Sequence, residues 1–219
     1  MKFLLTSGGI SNKSIENELR DLVGKDLNGL NLLFCTTASN YEGGEMNDWL
    51  IEDLVKLKSL GFKIDVCDIN GIGIDSLLPR FKRADVFYFE GGISQWLRSC
   101  IKNSGLEKHL PQLLKKRVWI GASAGSCVLC PTVWNACQDL FDEKLEGFPI
   151  DGLNLVNFQF IPHLNSKFFK KINIENLRES SKNLSKADGK KVYIVDDNGA
   201  VSVNNKKVKV VSEGEWFEI

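Results

Sequence analysis

The sequence predicts an α/β protein, a mostly parallel sheet with helices on both faces and an antiparallel C-terminal edge. Three observations predict it. Short apolar runs alternate with amphipathic stretches through the first 130 residues, and glycine turns follow several of the apolar runs. The last third carries three short strands joined by tight polar turns.

Taken in order, Lys2 to Thr6 reads as a strand ending in the flexible turn Ser7-Gly8-Gly9, and Ser14 to Val23 has helical spacing. Leu30 to Cys35 is a nearly continuous apolar run, the pattern of a strand buried on both faces. A polar loop from Thr36 to Gly44 precedes a helix from Met46 to Leu60, which places Trp49, Leu50, Leu54, Leu57 and Leu60 on one face and stops at Gly61. Phe62 to Cys67 is the next strand, Asp75 to Phe81 a short helix and Asp85 to Phe89 the fourth strand. After the turn Glu90-Gly91-Gly92 come helices over Ser94 to Lys102 and Leu106 to Lys115, then a central strand from Val118 to Ile120. Further on, Phe158 to Ile161 is a strand ending in Pro162-His163, and Phe168 to Leu184 reads as a helix. Val192 to Val195, Ala200 to Val203 and Val208 to Val211 are strands whose turns, Asp197-Asn198-Gly199 and Asn204-Asn205, favour hairpins at the sheet edge. No linker or repeat interrupts the 219 residues, which read as one domain.

Composition narrows the function. Lysine plus arginine and aspartate plus glutamate each number 28, so the formal net charge is zero. Nucleic-acid binders concentrate basic charge because phosphate contact dominates their affinity, and nucleic acid is not an expected partner here. The densest basic stretch, Lys167 to Lys171, includes two phenylalanines and reads as the solvated start of an amphipathic helix. No run approaches the roughly 18 apolar residues of a membrane span, and no secretory leader is recognisable. Six cysteines, two of them in Cys127-x-x-Cys130, sit largely in apolar runs and read as thiols of a reduced, cytoplasmic protein. No metal or other cofactor is expected.

The stretch that carries chemistry is Gly121-Ala122-Ser123-Ala124-Gly125, directly after an apolar strand and before a plausible helix. That context is what a nucleophile elbow requires: a reversal too sharp for bulky neighbours, with the serine hydroxyl pushed clear and the N–H of Ala124 aimed at a developing oxyanion. A serine needs a base. Of the two histidines, His109 lies in an amphipathic helix, whereas His163 follows a buried strand at its C-terminal end, where open α/β sheets gather their sites. Glu90-Gly91-Gly92 can supply a second oxyanion donor or be a simple βα turn; Ser7-Gly8-Gly9 reads as a turn only. For the acid that orients the imidazole, Asp139, Asp142 and Glu143 are all open, as is a serine–histidine dyad helped by a neutral partner.

At these residues the chain resembles the dipeptidase E and cyanophycinase family of serine peptidases, whose fold is related to class I glutamine amidotransferases. The resemblance rests on Gly91-Gly92, Gly121-Ala122-Ser123-Ala124-Gly125, Pro131-Thr132 and Gln159-Phe160-Ile161-Pro162-His163. It implies Ser123 as nucleophile, His163 as base and the N–H groups of Gly92 and Ala124 as the oxyanion hole, with the acid carried to Asp139. Family members that cut after an N-terminal aspartate have an arginine just beyond the Pro-Thr pair; Val133 and Trp134 stand there instead, which argues against aspartyl specificity. The expected substrate is a short peptide. An ester or non-peptide amide passes through the same tetrahedral intermediate, and a non-catalytic binding module would keep the same fold. The oligomeric state is not legible, and a homodimer stays open.

Overall fold

The computed structural model describes residues 1–41, 48–133, 141, 145–177 and 190–219. The first half alternates strand and helix as its apolar periods dictate: β1 (Lys2–Thr6), α1 (Lys13–Val23), β2 (Asn31–Cys35), α2 (Asp48–Ser59), β3 (Lys63–Cys67), α3 (Ile74–Arg83), β4 (Val86–Phe89) and α4 (Ser94–Asn103). A 3₁₀ turn (Leu106–Lys108) and a one-turn α5 (Leu110–Leu113) lead into β5 (Val118–Ala122) and the short α6 (Ala124–Cys127). After it come β6 (Gln159–Ile161), β7 (Val192–Val195), β8 (Gly199–Asn204), β9 (Lys207–Ser212) and β10 (Trp216–Glu218).

The strands form a seven-stranded sheet in the order β3-β2-β4-β5-β1-β8-β9. Its first five members pair in parallel, and β8 and β9 extend it antiparallel. Alternate side chains of the central strands feed two cores. Phe87, Phe89 and Trp119 pack on one face with Leu77 and Phe81 of α3 and Leu97 and Ile101 of α4. Val86, Tyr88 and Ile120 pack on the other with Ile15, Leu19 and Leu22 of α1 and Leu57 of α2. Both faces being covered explains why β2, β4 and β5 read as unbroken apolar runs. Helix α1 begins where the Asn12 side chain accepts from the Ile15 N–H and ends at Gly24, whose φ of 73° suits the left-handed cap.

Three expectations are corrected. The helix read over Leu106 to Lys115 is a 3₁₀ turn and a one-turn helix that meet at His109. The strand at Val192–Val195 does not form a hairpin with its successor. β7 belongs to a separate three-stranded sheet, parallel to β6 and antiparallel to β10, while β8 pairs with β1. The turn over residues 196–198 is a corner between two sheets. Asp196 holds it, its carboxylate accepting from the N–H groups of Asn198 and Glu215. In the reading of Phe168 to Leu184 as a helix, Phe168 to Ile172 is loop, helix is seen from residue 174 to 177, and 178–184 lie outside the described residues. The Asn173 side chain accepts from the Asn176 N–H, a local bond that starts the helix after the loop rather than within it. Asn165 N–H to the Ile172 carbonyl, 2.8 Å, closes that loop beneath His163.

Candidate active site

Ser123 sits between β5 and α6 with φ 45° and ψ −106°, a backbone conformation unfavourable for any residue with a Cβ. The surroundings impose it. The Ser123 N–H bonds the carbonyls of Thr6 and Ser7 at the end of β1, at 3.0 and 3.1 Å, and the Ser123 carbonyl accepts from Ser126 and Cys127. The flanking glycines are a packing necessity. A Cβ on Gly121 would lie 2.3 Å from the Gly125 carbonyl, and one on Gly125 would lie 2.0 Å from the Phe89 carbonyl oxygen. Ser126 finishes the turn by donating to the carbonyls of Gly121 and Thr6.

His163 follows β6, and its Nε2 lies 2.9 Å from Ser123 Oγ. Its Nδ1 lies 2.6 Å from Oδ1 of Asp197, in the corner between β7 and β8. A carboxylate only accepts, so Nδ1 carries the proton and Nε2 presents a lone pair to the serine hydroxyl. Ser7 ties the group together: its Oγ donates to Asp197 Oδ1 at 2.8 Å and accepts from the His163 N–H at 2.8 Å. The imidazole stacks on Phe169 with centroids 4.6 Å apart and meets Phe141 edge-on. The His163 side chain is 13% exposed and that of Asp197 48%. Partial burial opposes ionisation of Asp197, but hydrogen bonding and charge from His163, with the Ser7 hydroxyl, outweigh it and hold the carboxyl below its ordinary range.

Gly92 follows β4 with φ 121° and presses on the backbone of Ala38, where a Cβ would lie 2.4 Å from the carbonyl. Gly91 runs beside the serine: a Cβ on it would be 3.5 Å from Ser123 Cβ. Among the described residues the N–H groups of Gly92 and Ala124 have no acceptor. The structure thus brings Ser123, His163 and the loop carrying Gly92 to the C-terminal ends of β4, β5 and β6. Asp139, Asp142 and Glu143 lie outside the described residues, as does Trp134. The carboxylate on His163 Nδ1 is that of Asp197, a residue that sequence analysis placed only in a turn, and Ser7, placed likewise, is its partner. The signal available for both was position: each ends or follows an apolar strand, as His163 does. His109 stands at the junction of the 3₁₀ turn and α5. The described cysteines are buried thiols, and burial pushes Cys35 and Cys130 up to about 12, so neither offers a thiolate near neutral pH. No helix among the described residues is long and apolar enough to cross a membrane.

Comparison with known proteins accords with this layout. The profile of peptidase family S51 matches residues 3–211. Uncharacterised peptidases of Listeria monocytogenes and Listeria innocua are each 26% identical over 185 residues, covering 84% of this chain and 86% and 85% of theirs. A 1.5 Å crystal structure of a candidate peptidase E from Listeria monocytogenes superposes with a TM-score of 0.80 at 23% identity, covering 97% of this chain and 98% of the other. A peptidase from an acI-B1 actinobacterium gives 0.68 at 20% identity, covering 100% and 93%. The fold is that of the class I glutamine amidotransferase-like proteins. The chain belongs to peptidase family S51, and it is a serine-type peptidase.

Proposed function

We propose that the chain hydrolyses short peptides through an acyl-enzyme on Ser123, with His163 as general base and acid and Asp197 as the orienting carboxylate. One observation carries the reading: the unbroken line from Ser123 Oγ to His163 Nε2 at 2.9 Å and from His163 Nδ1 to Asp197 Oδ1 at 2.6 Å. Ser123 Oγ attacks the scissile carbonyl carbon while Nε2 takes its proton, and Asp197 stabilises the imidazolium that forms. The carbonyl oxygen, now an anion, accepts from the N–H groups of Gly92 and Ala124. His163 then protonates the leaving amine, and a water activated by the same nitrogen hydrolyses the ester. The Ser123 backbone supports the reading, since its strained conformation leaves the side chain facing His163.

Val133, where aspartyl-specific relatives carry arginine nearby, is buried and apolar, which supports a substrate other than an N-terminal aspartyl peptide. The test is a library of di- and tripeptides with free amino termini, scored by amine release for the wild type and Ser123→Ala. Hydrolysis by the wild type alone is expected. Release of equal size from Ser123→Ala would contradict the assignment.

A further inference from the structure

Glu90 is a buried acid that the mechanism above does not use. It follows β4, is 1% exposed, and immediately precedes Gly91-Gly92. Its Oε1 accepts from the Gly91 N–H at 2.9 Å, folding the side chain back onto the loop. Its Oε2 is buried with no conventional hydrogen-bond donor among the described residues. The neighbour that meets Glu90 is another acid, Asp53 of α2, whose Oδ2 also accepts from the Tyr88 hydroxyl. Two carboxyl oxygens can bond only through a proton. Burial together with the Asp53 charge pushes Glu90 well above its ordinary value, and burial pushes Asp53 up to about 6. The two acids therefore share a proton, and Asp53 also accepts from the Tyr88 hydroxyl. The further charge acting on this pair is Glu52, also on α2.

The pair lies where it can act on the site. Gly92 is pressed against the Ala38 backbone, and the Ile93 N–H bonds the Ala38 carbonyl at 3.1 Å, so the far side of the loop is held. Glu90 holds the near side. Trp49, four residues before Asp53 and so on the same face of α2, lies over Gly91: a Cβ there would be 3.6 Å from Trp49 Cζ3 and 3.5 Å from Ser123 Cβ. We propose that Glu90 is a positioning residue for the oxyanion hole, its carboxyl, buried beside Asp53 and bonded to the Gly91 N–H, orienting the Gly91-Gly92 backbone so that the Gly92 N–H faces Ser123. The inference rests on the reading of Ser123 as nucleophile and Gly92 as oxyanion donor.

The test is the phosphonylation of the full chain by a fluorophosphonate. The Ser123 Oγ–P bond forms, the P–F bond breaks, fluoride leaves, and the serine proton passes to His163. The phosphonyl oxygen takes the oxyanion's seat, so the limiting rate kinact reads the hole while KI reads binding. Glu90→Gln keeps an acceptor for Gly91 and a donor for Asp53, and both constants are expected within about threefold of wild type. Glu90→Leu removes both bonds at similar volume; kinact is expected to fall about 10- to 100-fold with KI within threefold, below the cost of deleting a donor outright. Circular dichroism and melting curves establish folding. Should Glu90→Leu not fold, Asp53→Leu, which strips Glu90 of its acceptor, is read against Asp53→Asn by the same criterion. Wild-type kinact in the leucine variant, a loss confined to KI, or a glutamine variant as slow as the leucine variant would overturn the proposal. A wild type that is not labelled on Ser123 would instead overturn the reading beneath it.

Discussion

At the scale of the residue, the site depends on Asp197, Ser7 and His163, each held by at least two other residues. Asp197 accepts from His163 and from Ser7, and Ser7 also receives the His163 N–H. Asp197→Asn would offer an amide donor in place of an acceptor and favour the wrong tautomer of His163; the Ser123 labelling rate is expected to fall about 10³- to 10⁴-fold with the fold intact. Ser7→Ala leaves the carboxylate on Nδ1 but removes its second support and the acceptor of the His163 N–H, so a loss of about tenfold is expected from the same assay. Equal losses in the two variants would mean that Ser7, not Asp197, organises the imidazole. The pairing of Ser123 with His163 was legible in the sequence because a glycine-flanked serine after an apolar strand has a rigid local signature and only two histidines compete. Asp197 and Ser7 were not, because a carboxylate in a polar turn and a serine before two glycines look the same whether or not a distant strand delivers a histidine to them.

At the scale of the element, buried charge is tolerated where it is crowded by opposite charge. Glu16 of α1 is 7% exposed and meets Lys13, Arg20 and Lys56 at 2.8 to 3.1 Å. The Lys13 bond leads, opposed by burial and joined by Arg20 and Lys56, and together they lower the carboxyl to about 2. A depressed acid stabilises the fold above its unfolded value near 4.5 and loses that contribution as pH falls towards 2. Glu16→Gln is therefore expected to cost about 1–2 kcal/mol at pH 7, with the gap from wild type closing between pH 4.5 and 2 in chemical denaturation. A gap independent of pH would assign the effect to packing. The glycine-flanked turn at Ser123 is less forgiving. With a Cβ 2.0 Å from the Phe89 carbonyl oxygen, Gly125→Ala is expected to cost at least about 2 kcal/mol, read as a lower melting temperature. The strands of the parallel sheet were readable as apolar runs, whereas the loop over residues 168–172 imitated a helix. Its phenylalanines are spaced by function and exposure rather than by a helical face: Phe169 stacks on His163 and Phe168 is 91% exposed.

At the scale of the molecule, the site is assembled from two sheets. The large sheet supplies Ser123, Gly92 and Ser7 from the ends of β5, β4 and β1; the small sheet supplies His163 and Asp197 from the ends of β6 and β7. No local pattern announces that β7 leaves its neighbour β8, because the choice rests on the core formed by Ile161, Leu164, Ile172 and Ile194 under the small sheet. Loosening that core should act on catalysis before it unfolds the protein. Ile194→Ala is expected to cost about 2–4 kcal/mol and to slow Ser123 labelling at temperatures where far-UV circular dichroism is still native. Labelling that stays at the wild-type rate until the whole chain melts would show the two sheets to be one cooperative unit.

The most direct measurement of the central claim is the mass of the intact chain after treatment with a broad fluorophosphonate, for the wild type, Ser123→Ala and His163→Ala. The account predicts one adduct per wild-type chain, mapped by peptide sequencing to Ser123, none on Ser123→Ala, and labelling slowed at least about 10³-fold in His163→Ala. An unlabelled, folded wild type, or an adduct that forms as fast without His163, would contradict it.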